Sequence, residues 1–268
     1  MGLPFHKMEA AGNDFVVVYR ADLPPDASPD LAIALCDRHY GVGADGVLVV
    51  GVGDDVQPPG LRDRALLSME VWNADGSVSE MCGNGLRCVV RRAIEDGRWS
   101  GESGVMASGK GLVPFRIVGE EIRTTLGSVT LGPRRTVELS GRSIPGQEAS
   151  VGNPHFVVFA DEVGDAAGSF LDWAPALERH ESFPDRTNVE LVTVTDDGLR
   201  MRVWERGVGE TLACGSGACA AAVVARGRGR AGDDVRVAPP GGVLSVFWDG
   251  ASVDLQGPAR TVFQGVWR

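Results

Sequence analysis

The pentapeptide Met81-Cys82-Gly83-Asn84-Gly85 is written a second time as Ala213-Cys214-Gly215-Ser216-Gly217, at an offset of 132 residues in a chain of 268. The flanks repeat at the same offset, Val71-Trp72 before the first copy and Val203-Trp204 before the second. Gly12-Asn13-Asp14-Phe15-Val16-Val17 returns, with one residue inserted, as Gly152-Asn153-Pro154-His155-Phe156-Val157-Val158. Asp37-Arg38 before a strand at Gly46 returns as Asp185-Arg186 before a strand at Asn188. Repeats that keep their order predict an internal duplication, and hence two domains with matching chain paths.

Local patterns fill in those paths. Leu3–Met8 and Phe15–Tyr19 read as strands around a Gly12-Asn13-Asp14 loop. Ser28-Pro29-Asp30 predicts a helix start with proline at its first position, and the helix runs to about His39 before Gly41 stops it. Gly46–Val50 reads as a buried strand, residues 54–64 as a polar loop, and 65–72 as a strand ended by the turn Asn73-Ala74-Asp75-Gly76. A helix then spans about Asn84 to Asp96, with Gly97 just past its end, followed by strand-like runs at Gly111–Val118 and Glu121–Leu126. The second half offers a helix around Leu171–His180, strands at Asn188–Thr195 and Leu199–Trp204, and a helix from the Cys214 motif to about Arg226. Strands near Asp234–Ala238, Val243–Trp248 and Ser252–Gln256 follow. Arg260–Trp267 has no counterpart before residue 130, so it is expected to return to the first domain. The fold class is thus α/β with mixed sheets: two pseudo-symmetric domains, each a mixed sheet wrapped around a central helix, with the active site in the cleft between them. Residues 1–127 with 259–268 make the first domain and 128–258 the second.

Charge narrows the partners. A net charge of −10 opposes a general nucleic-acid or anionic-membrane surface, which needs basic patches. The first residues lack the apolar core of a signal peptide, and no stretch approaches the ~18 apolar residues of a membrane span. Five cysteines, an odd number, suit a reducing cytosol better than a disulfide framework. A small molecule is the expected partner.

Cysteine spacing excludes some chemistry. Cys82 and Cys88, and Cys214 and Cys219, are six and five residues apart, rotations of roughly 240° and 140° on a helix, so neither pair converges on one metal ion. Cys88 and Cys219 read as buried apolar residues. Cys82 and Cys214 each open a predicted helix, where unpaired N–H groups and the helix dipole favour negative charge and lower a thiol's pKa. The Gly-x-Gly that follows leaves amides bare for a carboxylate at Gly83/Asn84 and Gly215/Ser216. One thiolate can then remove a proton beside that carboxylate while the opposite thiol delivers one, which is the chemistry of stereoinversion. Lys7 and Lys110 are the only lysines, and no phosphate cup accompanies either, so no pyridoxal cofactor is expected. Fixed dipoles at the two helix starts must stabilise the enolate instead.

The ordered set of motifs resembles the diaminopimelate epimerase family. Gly12-Asn13-Asp14-Phe15, Asp37–Asp45, Trp72–Ser77, Glu80–Gly85, Gly152–Phe156, Arg186–Glu190 and Glu205-Arg206-Gly207 through Gly217 carry the likeness over nearly the whole chain. The resemblance implies epimerisation of LL-2,6-diaminopimelate to the meso form, for lysine and peptidoglycan synthesis, with Cys82 and Cys214 as acid and base. It further implies contacts to the reacting carboxylate from Gly83, Asn84, Gly215 and Ser216. Asn73, Asn153, Asn188, Glu205 and Arg206 would bind the distal end of the substrate, with Asn13 lining the site. His155 and Glu205 would tune the cysteines. Two positions depart from the family pattern: Gly46 stands where many members carry glutamine, and Phe263 where a tyrosine supports a homodimer in some. Other readings of the same scaffold are a histidine- or proline-type racemase, although proline racemase-like enzymes carry histidine at the place of Asn84. A thiol redox or amino-acid-binding protein without turnover is the alternative of another class.

Overall fold

The computed structural model of the chain describes residues 2–57, 59–61, 64, 66–139 and 141–268. Pro58, Arg62, Asp63 and Ala65, which fall in the expected loop and at the start of the expected strand after it, lie outside the described residues. The chain divides into two compact units, Met1–Thr125 with Gly257–Arg268, and Leu126–Gln256.

In the first unit, β1 (Leu3–Ala10) and β2 (Asn13–Tyr19) pair antiparallel with Ala10 opposite Asn13. Only Ala11 and Gly12 reverse the chain, both at positive φ (55° and 80°), the pattern of a two-residue primed turn. Asn13 and Asp14, expected in the loop, are therefore strand residues with fixed side-chain directions. The next helix, α1 (Leu31–Cys36), is also shorter than the pattern predicts. The Ser28 and Pro29 carbonyls accept the Leu31 and Ala32 N–H groups in turns, and the Asp37 carboxylate accepts the N–H groups of His39 and Tyr40 at 2.7 Å. That local turn competes with helix continuation and wins.

β3 (Gly46–Val52) lies parallel to β2, and β4 (Leu67–Asn73) antiparallel to β3. After the short β5 (Val78–Ser79) comes α2 (Gly83–Glu95), ended by Gly97 at φ 66°. The chain continues through β6 (Ser103–Ser108), β7 (Gly111–Val118) and β8 (Glu121–Ser128). Phe15 and Val17 of β2, with Leu48 and Val50 of β3, pack with Leu86, Val89 and Val90 of α2. Val16, Val18, Val47 and Val49 face the other way, into a cluster with Ala32 and Leu35 of α1. A sheet covered on both faces explains why these strands are nearly continuous apolar runs rather than alternating ones.

The second unit repeats the plan. β9 (Thr130–Leu139) and β10 (Arg142–Ser150) lead to β11 (Pro154–Phe159), the short α3 (Ala160–Val163), α4 (Phe170–Glu178), and β12 (Asn188–Thr195), which lies parallel to β11. β13 (Gly198–Glu205) and β14 (Gly209–Thr211) precede α5 (Gly215–Gly227), and β15 (Asp234–Ala238), β16 (Leu244–Trp248) and β17 (Ser252–Gly257) follow it. The pairing map matches the first unit strand for strand: a parallel pair, an antiparallel partner, a short β-strand, the helix, then a strand parallel to the one before (β4–β6 and β13–β15). In the second unit β9 flanks β10. The matching place beside β1 is taken by β18 (Arg260–Trp267), which pairs antiparallel with it. Among the described residues no helix is long and apolar enough to cross a membrane.

Candidate active site

Both repeated cysteines are helix N-caps. Cys82 has extended backbone (φ −140°, ψ 113°) and its Sγ accepts the Gly85 N–H at 3.3 Å. Cys214 does the same (φ −121°, ψ 113°), accepting from Gly217 at 3.4 Å. Sulfur thus takes the place that a serine or threonine oxygen usually holds. The N–H groups of Gly83 and Asn84, and of Gly215 and Ser216, belong to first turns and have no partner within their own helices.

The second glycine of each motif has a packing reason. A Cβ on Gly85 would stand 2.8 Å from Leu48 Cδ2, and one on Gly217 would stand 2.7 Å from Glu190 Oε1. Each helix start is pressed against the strand beneath it, β3 in one unit and β12 in the other. The glycine is what allows that approach.

Around Cys82, amide orientations are set by charges. Asn13 donates through Nδ2 to Asp45 Oδ2 at 2.7 Å, which turns its Oδ1 toward Asn84 Nδ2 (3.2 Å) and the Cys82 thiol (3.9 Å). Arg38 bridges Asp14 and Asp45 at 2.8 Å each, and the buried Lys7 ammonium bonds Asp14 and the Gly43 carbonyl. Burial works to raise the Asp14 carboxyl, but hydrogen bonds from Arg38 and Lys7 outweigh it and bring it to about 2. Asp45 moves upward, through burial first and then repulsion from Asp14. Arg87, wholly buried one turn into α2, donates to Asn84 Oδ1 at 2.8 Å and to the Pro258 carbonyl at 3.2 Å. Lys7 is thus committed to an ion pair.

Around Cys214 the neighbours are acidic. His155 Nδ1 meets Glu190 Oε1 at 2.6 Å, with both side chains fully buried, and His155 Nε2 meets Asn153 Oδ1 at 3.0 Å. Asn153 Nδ2 donates to Ser216 Oγ at 3.3 Å, and that hydroxyl lies 3.5 Å from Cys214 Sγ. Glu205 accepts from the Thr211 hydroxyl and lies within hydrogen-bonding reach of Cys214. Burial raises the Glu205 carboxyl. Burial, then Glu205 and Glu190, push the Cys214 thiol well above the ordinary thiol range. This corrects the expectation that a helix N-terminus alone would favour thiolate: at Cys214, desolvation and two carboxyl groups outweigh the Ser216 and Gly217 hydrogen bonds.

Three expected binding residues make hydrogen bonds within the chain. Asn73 donates to Ser77 Oγ (2.8 Å) and Ser79 Oγ (3.0 Å), closing the β4–β5 turn. Asn188 is buried, donating to the Pro154 carbonyl and accepting from the Arg206 N–H, so it holds the two segments that carry His155 and Glu205. The Arg206 guanidinium is exposed and donates to the Asp185 carbonyl at 3.1 Å. Asp45 and Glu190 were not singled out from the sequence. For Glu190 a signal existed, an acid within the apolar run Val189-Glu190-Leu191-Val192, since a buried carboxylate requires a partner. Among the described residues no group of three or more His, Cys, Asp or Glu is arranged to hold a metal ion.

A family model described as diaminopimelate epimerase matches residues 5–132 and 148–262. The chain belongs to the diaminopimelate epimerase family. It is 42% identical over 282 residues to the diaminopimelate epimerase of Xylella fastidiosa (strain M12), covering 99% of this chain and 96% of that one. Against the diaminopimelate epimerase of Gloeothece citriformis (strain PCC 7424) it is 38% identical over 289 residues, covering 100% and 99%. Among solved structures, a hydroxyproline epimerase from Agrobacterium vitis shares the fold with a TM-score of 0.74 at 14% identity, over 99% of this chain and 92% of that one. A PhzF-family phenazine biosynthesis protein from Bacillus anthracis does so with 0.74 at 15%, over 100% and 99%. Within the diaminopimelate epimerase family, the glycine at 46 has a local cause here. A Cβ at Gly46 would stand 2.9 Å from the Trp72 carbonyl, so any side chain there requires β4 to shift.

Proposed function

We propose that the chain interconverts LL-2,6-diaminopimelate and meso-diaminopimelate, a step of lysine biosynthesis, by a two-base reaction between Cys82 and Cys214 that uses no cofactor. The observation that carries the reading is the pair of helix N-caps made by cysteine, each with two bare amides following it. The reacting carboxylate docks on the amides of Gly83, Asn84, Gly215 and Ser216. One sulfur, as thiolate, takes the α-proton; the electron pair of the broken C–H bond moves into the carboxylate as an enolate, and the other sulfur, as thiol, delivers its proton to the opposite face. The two cysteines thereby exchange protonation states. Burial, reinforced by Glu205 and Glu190, disfavours thiolate at Cys214, while Arg87 places a buried cation at the head of α2.

Stabilising the enolate falls to the helix-start amides, which are held in place before reaction and so need no reorganisation. Arg206 binds the distal carboxylate, and Glu205 with Asn73, Asn153 and Asn188 accepts from the distal ammonium. The reading requires both sulfurs to reach opposite faces of one α-carbon. Five free thiols suit a reducing cytosol, and the exposed Val262, Phe263 and Val266 of β18 suit a homodimer.

Incubation of reduced protein with LL-diaminopimelate in D2O tests this reading. Deuterium at the α-carbon and accumulation of the meso isomer are expected by NMR and chiral chromatography. Absence of exchange would overturn it, and exchange with histidine or proline alone would select a racemase of another substrate class.

A further inference from the structure

Glu190 has no role in the chemistry above, yet it is the most deeply placed acid of the second unit. Its side chain is fully buried, one carboxylate oxygen meets His155 Nδ1 at 2.6 Å, and the other has no hydrogen-bond partner. Burying a carboxylate in this way costs several kcal/mol unless it is compensated, so the position needs a reason. The matching place in the first unit shows that the fold itself does not demand an acid there. Leu48 lies under Gly85 as Glu190 lies under Gly217, and Phe15, opposite Gly46, holds the register that His155 holds opposite Asn188. Where one unit is content with Phe15 and Leu48, the other carries a buried His–Glu pair.

We propose that Glu190 is a positioning residue for the Cys214 half-site, acting through His155 and Asn153 to aim Ser216. The chain of contacts is continuous: Glu190 Oε1 to His155 Nδ1 at 2.6 Å, His155 Nε2 to Asn153 Oδ1 at 3.0 Å, Asn153 Nδ2 to Ser216 Oγ at 3.3 Å, and Ser216 Oγ to Cys214 Sγ at 3.5 Å. An amide oxygen and a carboxylate oxygen are both acceptors, so the imidazole between them must donate from both nitrogens. With Nε2 donating, Asn153 can present only its NH2 to Ser216, and the hydroxyl is left with its proton free for the sulfur or for a carboxylate oxygen at the helix head. Remove the carboxylate charge and the ring has no reason to keep its second proton. A bare Nε2 then faces the Asn153 oxygen, the amide turns over, and Ser216 must spend its proton on Asn153 instead. The other charged or titratable groups near the pair are Glu205, on β13, and Cys214 at the head of α5.

This inference rests on the epimerase reading, and Glu190→Gln separates the two. Glutamine keeps the shape and can still accept from Nδ1 but carries no charge. With wild-type protein active, Glu190→Gln should lower kcat/KM on the order of 10- to 100-fold, the scale of a misaimed contact beside the reacting atoms. Nitrogen-15 spectra of the His155 ring should show both nitrogens protonated in the wild type near neutral pH and one bare nitrogen in the variant. Substituting the first unit's residues, as His155→Phe with Glu190→Leu, guards against a folding failure: an apolar pair of similar shape should hold or raise the melting temperature while activity falls at least as far. The proposal is overturned if Glu190→Gln stays within twofold of wild type, if the wild-type ring already carries a bare nitrogen, or if the Phe/Leu protein remains active. A wild type that exchanges no α-proton would instead overturn the epimerase reading itself.

Discussion

The heads of α2 and α5 share a backbone and differ in almost everything that lines it. Each has a cysteine N-cap, a glycine pressed on a strand, and an asparagine turned toward the helix start, Asn13 opening β2 and Asn153 just before β11. Beneath Cys82 lie Phe15 and Leu48, with the Arg87 cation alongside; beneath Cys214 lie His155 and Glu190, with Glu205 alongside. At the place of Arg87, one turn into the helix, α5 carries Cys219. Duplication supplied two equal thiol sites, and divergence gave them opposite electrostatic surroundings. A two-base reaction needs one proton on the pair at any instant, and these surroundings bias which sulfur holds it.

Deleting either sulfur tests the partnership most severely. Cys82→Ala and Cys214→Ala should each lower the rate of inversion by 10³-fold or more, at the upper end of what one acid or base supplies. A variant that keeps a tenth of the wild-type rate would show that a single sulfur suffices.

The packing half of the comparison predicts a smaller effect. Gly85→Ala and Gly217→Ala should each destabilise the protein by about 1–3 kcal/mol, the usual cost of overpacking, read as a shift in the denaturant midpoint. Helix propensity alone would make both substitutions stabilising by ~1 kcal/mol, so the sign decides whether the close approach to Leu48 and Glu190 dominates.

The gentlest probe addresses the acidic surroundings of Cys214. Removing the Glu205 charge with Glu205→Gln takes away the strongest repulsion acting on the thiolate after burial itself. The pH at which Cys214 alkylates, followed by mass spectrometry of its peptide, should therefore fall in the variant. Wild-type Cys214 should react slowly at neutral pH and faster only as pH climbs well past the ordinary thiol range. An unchanged profile would assign the shift to burial and Glu190 without Glu205.

Much of this is legible in the sequence. The repeat located both helix starts because Cys-Gly-x-Gly records two constraints, a capping atom and a close approach, in four residues. Apolar runs mark β3, β12 and β13 closely but not β9 or β10, and β18 is expected as a returning strand because nothing earlier matches it. The extent of α1 and the turn at Ala11-Gly12 were not legible. In the first, the Asp37 carboxylate captured two backbone N–H groups that helix continuation would have needed. In the second, a non-glycine residue holds positive φ, which composition disfavours. The thiol's ionisation was also beyond reach, since the helix dipole is visible in sequence whereas desolvation and the nearness of Glu190 to Cys214 are tertiary facts.

The strand β18 has a consequence for how the protein is made. Residues 126–256 are contiguous, so once they have left the ribosome every strand of that unit is available to pair. The earlier unit is synthesised first yet lacks the partner of β1 until residues 260–267 emerge. Until then β1 exposes an unpaired edge, a surface on which a nascent chain risks joining a neighbour. Synthesis order and completion order are therefore reversed, and the Cys82 half of the machinery is the last to be finished.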